Sequence, residues 1–347
     1  MKLTHEVRTV HTRHPFVIAR GGSSDWRVVT VTVTDRDGAQ GIGEAAPSRF
    51  YGENPESVAG ALARFAPLVE GMDAWSLEAV ERELDKAIRF NGAAKSAVSA
   101  ALHDLQAKRL GVPLYRLWGL DPARSPLSSY TIGIAPSREA TIAKVREADE
   151  YPILKVKLGS DRDEEIIRTV REAAPGKVLR VDANAAWTAK RAIRIIPLLE
   201  ELGVEFVEQP LPPHDLEGLR FVRERSRLPI VADESCVVAT DIPGLVGVVD
   251  GINIKLAKCG GLREALRMIA TARSHGMLVM CGCMIETTLG IAAAAHFAPL
   301  LDCADLDGAA LLADDPYTGV SIAGGTIAFS GEPGLGVRDA KPGVRAA

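Results

Sequence analysis

Ile153-Leu-Lys-Val-Lys157, Val178-Leu-Arg-Val-Asp182, Val204-Glu-Phe-Val-Glu208, Pro229-Ile-Val-Ala-Asp233 and Ile252-Asn-Ile-Lys-Leu-Ala-Lys258 are short apolar runs that each close on a charge. The closing residues lie 25, 26, 25 and 25 positions apart. One strand, one loop and one helix together need roughly that many residues, so the spacing predicts five successive βα units with a charge at each strand end. In a (β/α)₈ barrel the C-terminal strand ends converge on one cavity. Three carboxylates flanked by two lysines in one cavity make a divalent-metal site between two opposed acid–base groups.

Before this block, Trp26-Arg-Val-Val-Thr-Val-Thr-Val-Thr34 alternates with period two. Asp35-Arg-Asp-Gly38 then supplies a hairpin turn, and Gly41-Ile-Gly-Glu-Ala45 begins the return strand. Apolar residues at helical spacing predict helices over 57–68, 76–89 and 93–110. From about Ser128 strands and helices alternate. A first strand at Ser129-Tyr-Thr-Ile-Gly133, the five above, Met277-Leu-Val-Met-Cys-Gly-Cys283 and Cys303-Ala-Asp-Leu-Asp-Gly308 bring the count to eight, with helices over 163–173, 188–202 and 262–275. The chain reads as α/β: an α+β region over 1–120, a barrel over 121–314, and a Gly- and Pro-rich tail over 315–347 that packs back on the N-terminal region.

A hydrophobic share of 47%, a charged share of 25% and a net charge of −4 without basic blocks describe an ordinary globular chain. Nucleic acid and anionic membranes have no electrostatic footprint here. No run approaches the roughly 18 apolar residues of a membrane span. Met1-Lys-Leu-Thr-His-Glu6 lacks a signal peptide's apolar core, so a cytoplasmic protein is expected. The cysteines, Cys236, Cys259, Cys281, Cys283 and Cys303, are odd in number and read as small buried side chains in a reducing compartment. Cys281-Gly-Cys283 is too sparse for a thiolate zinc site.

A single strand-end carboxylate often serves only as the N-cap of the next helix. Asp182, Glu208 and Asp233 fall in register and enter their loops as Asp182-Ala-Asn, Glu208-Gln-Pro and Asp233-Glu-Ser, which favours a metal site. With no His or Cys at a matching position, the donors suit magnesium or manganese rather than zinc. Side-chain alternation puts Lys155 and Lys157 on one strand face, the barrel interior, where an ammonium group needs an anion or gives up its proton. Lys258 arrives from the opposite side, while Lys255 reads as solvating the barrel mouth. Two such lysines suit abstraction of a proton α to a carboxylate and its return to the other face, with Lys155 and the ion stabilising the enediolate.

These residues resemble the enolase superfamily over essentially the whole chain. The Lys155-Val-Lys157 pair, with Lys258 in Ile254-Lys-Leu-Ala-Lys-Cys-Gly-Gly261, is similar to the muconate-lactonizing-enzyme subgroup. The resemblance implies a modified TIM barrel under an α+β capping domain that the C-terminal tail completes. It also implies that Asp182, Glu208 and Asp233 hold magnesium. Asp305-Leu-Asp307, Cys283-Met-Ile-Glu286 and Phe50-Tyr-Gly-Glu53 resemble the dipeptide epimerases, including the bacterial L-Ala-D/L-Glu group. There the matching Asp-x-Asp grips the α-ammonium of the substrate's N-terminal residue, and Phe50, Cys283 and Ile285 take substrate-contact positions.

Capping-domain loops, here about 18–26 and 45–53, set specificity in that family. Glutamate-accepting members place a basic residue on the first loop, where this chain has Ser23. Arg20 or Arg49 is a possible substitute, while Asp25 and Trp26 equally suit an apolar or cationic second residue. Individually Arg20, Arg27 and Arg49 read as surface charges. The expected partner is a small dipeptide, and a homo-oligomer is expected. Within the subgroup the rivals are an o-succinylbenzoate synthase or cycloisomerase and an N-acyl amino acid racemase, both lacking an ammonium for Asp305 and Asp307. A non-catalytic metal-binding barrel leaves the paired lysines unused, and Gly41-Ile-Gly43 and Gly260-Gly261 lack the context of a phosphate loop.

Overall fold

A computed structural model describes residues 1–340. The N-terminal region forms an antiparallel sheet of β1 (Lys2–Ile18), β2 (Gly21–Thr34) and β3 (Gln40–Ala45). It is covered by α1 (Pro55–Val69), α2 (Leu77–Ala87) and α3 (Gly92–Arg109). The Asn54 side chain accepts from the Ser57 amide and the Ser57 hydroxyl lies on the Asn54 amide, which starts α1 with a reciprocal cap. Gly41 and Gly43 serve packing: a Cβ at Gly43 would lie 2.2 Å from the Ala97 carbonyl of α3. Only bare backbone lets β3 and α3 approach so closely.

Eight parallel strands follow in simple order: β4 (Tyr130–Ile132), β5 (Ile153–Lys157), β6 (Val178–Asp182), β7 (Val204–Glu208), β8 (Ile230–Ala232), β9 (Gly251–Ile254), β10 (Leu278–Gly282) and β11 (Cys303–Asp305). The Ser129 amide donates to the Ala304 carbonyl at 3.0 Å, so the first strand returns to the last and the barrel nearly closes. The strand order and the helices over 163–173, 188–202 and 262–275 agree with the spacing to within a residue or two. One expectation fails. The sixth barrel strand ends at Ile254, and Lys258 sits on a one-turn helix, Leu256–Cys259. The strand of Ile252-Asn-Ile-Lys-Leu-Ala-Lys258 thus ends four residues earlier than its apolar pattern suggests.

The tail returns as expected. Leu335 and Ile42 amides donate to the two oxygens of Asp104 on α3, at 2.8 and 2.9 Å, and the Tyr317 hydroxyl meets Thr30 of β2 at 3.0 Å. Residues 341–347 of the expected tail lie outside the described residues. Among the described residues no helix is long and apolar enough to cross a membrane.

Barrel and cap meet over buried carboxylates. Glu44 of β3 accepts from the amide and hydroxyl of Thr287, and burial pushes its carboxyl up to about 8. Burial likewise pushes Glu286 up to about 7. Both groups hold their protons more tightly folded than unfolded. Their stabilisation is therefore complete below the ordinary carboxylate value and drains away as pH rises to about 8. The melting temperature should fall from about pH 5 to pH 8, and fall less in Glu44→Gln, which keeps the Thr287 contacts without a charge. Parallel pH profiles for the two proteins would refute this assignment.

Candidate active site

Asp182, Glu208 and Asp233 end β6 and β7 and follow β8, and their carboxylate oxygens lie within 4.8 Å of one another, all fully buried. Four ammonium groups meet this cluster. Lys155 of β5 places Nζ 2.7 Å from Glu208, 2.7 Å from Asp305 and 3.4 Å from Asp182. Lys157 lies 2.7 Å from Asp182, and Lys255 lies 2.7 Å from Asp233. Lys258 donates to Asp233 Oδ1 at 2.6 Å and to the carbonyls of Asp233, Cys236 and Asn253. Lys255 is therefore a buried partner of Asp233, not a solvating group at the mouth. It follows the true end of β9 and points inward, which the longer strand reading concealed.

The anions are not equivalent. Burial works against the charge of Asp182, but Lys157 and Lys155 outweigh it and hold the carboxyl down at about 2. Asp233, against the same burial, is held far below the usual range by Lys255 and Lys258. Glu208 goes the other way: burial and the neighbouring Asp182 charge push it up to about 7 despite Lys155. Its Oε1 accepts from Asn253 at 2.7 Å, while Oε2, among the described residues, has the Lys155 ammonium nearby but no well-directed hydrogen bond. Three converging hard oxygens, one of them poorly satisfied, fit a magnesium-type ion, for which Asp182, Glu208 and Asp233 would be the donors.

Beside the cluster opens a cavity of about 500 Å³. Lys157, Lys255, Asp305 and Asp307 line its barrel side. The cap contributes Ser23, Asp25 and Phe50, and the loop after β10 contributes Cys283 and Ile285. Phe16, Trp26, Ile285 and Leu311 give it an apolar wall. Ser23 bonds back to the amide and carbonyl of Asp25, which stiffens the hairpin end, and Asp25 points to solvent. Lys258 borders a second cavity of about 690 Å³, and Phe50 and Tyr51 line both.

Asp305 and Asp307 differ. Asp305 is spent: Oδ1 accepts from Ser129 and Oδ2 from Lys155, each at 2.7 Å. Asp307 Oδ2 accepts from the Thr131 amide at 2.6 Å, and burial with the Asp305 charge pushes its carboxyl up to about 7. Its other oxygen makes no hydrogen bond among the described residues, and the residue lines the cavity.

Sequence reasoning missed Glu234 and misjudged Arg20. Glu234 is buried at the cavity wall, and its Oε1 lies 2.8 Å from the Arg20 guanidinium. Arg20 also donates to the Asn184 carbonyl at 2.7 Å and lies 4.2 Å from the Phe50 ring centre. It is no free surface charge. The one available signal was an acidic residue directly after Asp233. Arg27 pairs with Glu56 at 2.6 Å, whereas Arg49 reaches the Arg20 carbonyl and has no carboxylate within 4.0 Å among the described residues.

Residues 2–119 match the mandelate racemase/muconate lactonizing enzyme N-terminal domain, and residues 138–339 match the enolase C-terminal domain-like family. The chain is 40% identical to the L-Ala-D/L-Glu epimerase of Bacteroides thetaiotaomicron over 339 residues, 97% of this chain and 88% of the relative. It superposes with a TM-score of 0.92 on a dipeptide epimerase of Enterococcus faecalis V583 complexed with Mg and L-Leu-L-Tyr, at 34% identity over 97% of this chain and 98% of that one. The TM-score is 0.93 on a substrate-liganded L-Ala-D/L-Glu epimerase of Bacillus subtilis, at 33% identity over 98% and 100%.

Proposed function

The chain belongs to the mandelate racemase/muconate lactonizing enzyme group of the enolase superfamily, and on that premise we propose that it is a magnesium-dependent dipeptide epimerase. It inverts the Cα of a dipeptide's C-terminal residue by 1,1-proton transfer. Lys157 belongs to the second barrel strand and Lys258 follows the sixth, so three strands lie between them on either side of a ring of eight and they approach from opposite sides. One removes the α-proton and the other delivers a proton to the opposite face. Lys155, held between Asp305 and Glu208, supplies positive charge where the substrate carboxylate gathers negative charge. A bound divalent ion would add Lewis-acid stabilisation of that same charge.

The carrying observation is Asp307, whose Oδ1 makes no hydrogen bond among the described residues and which lines the same cavity as Lys157. Cycloisomerase, synthase and N-acyl racemase substrates carry no α-ammonium, whereas a dipeptide brings one. For the second residue, the guanidinium of Arg49, bonded to the Arg20 carbonyl but with no carboxylate within 4.0 Å among the described residues, supports an acidic side chain, as in L-Ala-L-Glu. The apolar wall of Phe16, Trp26, Ile285 and Leu311 supports the alternative, an apolar second residue.

Proton NMR in D₂O with Mg²⁺ tests both, by following Cα–H loss across L,L-dipeptides with acidic, apolar and cationic second residues. N-acetyl amino acids and an o-succinylbenzoate precursor serve as controls. Turnover of a control with every dipeptide inert would replace this reading. Asp307→Asn should raise KM for free dipeptides roughly 10- to 100-fold, the worth of one charge-assisted hydrogen bond, and leave N-acetylated analogues unaffected. Equal losses on both would remove the ammonium role.

A further inference from the structure

The tip of the β1–β2 hairpin lies across the barrel mouth. The Val17 carbonyl accepts from the Ile134 amide after β4 at 2.9 Å, and a Cβ added at Gly159 after β5 would come within 2.7 Å of Ala19 Cβ. Arg20, at the turn itself, reaches farthest. One guanidinium nitrogen donates to the carbonyl of Asn184, beyond β6, and another meets Glu234, beyond β8. Its carbonyl accepts from Arg49 at 2.7 Å, and its guanidinium covers Phe50, so the second cap loop is fastened to the first through the same residue.

Both barrel contacts are themselves costly without Arg20. The Glu234 side chain is 1% exposed, follows Asp233 directly, and has no other cation within 4.0 Å among the described residues. Asn184 and Ala185 hold left-handed backbone at φ 45° and 64°, and the Asn184 amide donates to Asp182 at 2.7 Å. Neither Glu234 oxygen has a well-directed hydrogen bond among the described residues, so the nearby guanidinium is the charge that compensates this buried carboxylate, and losing it strands the charge.

We propose that Arg20 is a positioning residue: its contacts to Glu234 and the Asn184 carbonyl latch both cap loops over the substrate cavity. It is then not available to read the substrate's side chain. The kinetic half of this inference rests on the epimerase reading, whereas the latch itself does not.

Two readouts therefore test it. Hydrogen–deuterium exchange on the wild type, Arg20→Met, Arg20→Lys and Glu234→Gln reports the latch without any substrate. Arg20→Met and Glu234→Gln should each speed exchange at Val17–Gly22 and Arg49–Tyr51 about 10-fold or more, leaving β5 to β7 unchanged, and Arg20→Lys should restore part of the protection. On whichever dipeptide the wild type turns over, Arg20→Met should raise KM about 10- to 100-fold with a much smaller change in kcat. The double variant should be no worse than the worse single one. Unchanged exchange at the tip, or exchange raised equally throughout the barrel, would overturn the latch. Faster tip exchange with an inert wild type would leave the latch standing and remove the epimerase. A local latch with additive kinetic losses would overturn the coupling between Arg20 and Glu234.

Discussion

Lys157→Ala and Lys258→Ala should each abolish epimerisation, by roughly 10²- to 10⁴-fold for loss of one general acid–base group and more if no water replaces it. The expectation follows from placement. Each lysine faces the shared carboxylate cluster from its own side, Lys157 on Asp182 and Lys258 on Asp233. A protein that loses one base keeps the other, so each variant should still exchange the α-proton of a single stereoisomer, with opposite preferences in the two variants. Solvent exchange in D₂O, read separately for L,L- and L,D-dipeptides, measures this and also shows that the site remains folded. The fold check matters for Lys258, whose ammonium serves three backbone carbonyls as well as Asp233. Retained epimerisation in either variant would end the two-base scheme.

How much of this was legible in the sequence varies with the physics of each element. The barrel register is legible because a strand's length and its helix's length are both constrained by the sheet it joins. The 25-residue recurrence of Lys157, Asp182, Glu208 and Asp233 therefore carries through to three dimensions. Lys258 kept the interval but not the element. Leu256 and Ala257 continue an apolar pattern that a strand and a buried helical turn satisfy equally.

The inequality of Asp305 and Asp307 depends on which neighbour reaches which oxygen, and Ser129 and Thr131 come from the far end of the barrel sequence. Nothing local encodes that. Arg20 is the extreme case. Its partners, Asn184 and Glu234, lie more than 160 residues downstream, and only the docking of cap on barrel brings them together. The cap's tie to the tail through Asp104 has the same character. Strand-end chemistry is written locally; loop chemistry is written by assembly.

Asp233→Asn and Glu208→Gln should both remove magnesium binding, yet they should part company in the metal-free protein. Asp233 holds its charge against burial because Lys255 and Lys258 both stand on it, at 2.7 and 2.6 Å. Removing that charge breaks two buried ion pairs at once and strands two ammonium groups, so Asp233→Asn should cost about 3–5 kcal/mol in metal-free stability. Glu208 is the opposite case. Burial and the Asp182 charge already push its carboxyl up to about 7, so near neutral pH much of it carries a proton before any substitution. Lys155 retains Asp305 at 2.7 Å when Glu208 is neutralised, and Asn253 retains an amide oxygen to donate to. Metal-free Glu208→Gln should therefore melt within a few degrees of the wild type. Magnesium at about 100 times its dissociation constant should stabilise the wild type by about 2.7 kcal/mol, reversibly with EDTA, and neither variant. Thermal unfolding of the three proteins, each with EDTA and with Mg²⁺, makes the comparison. A magnesium response in Glu208→Gln would remove Glu208 from the donor set, and equal metal-free losses in both variants would mean that the lysines, rather than the carboxylates' unequal compensation, govern the stability of this centre.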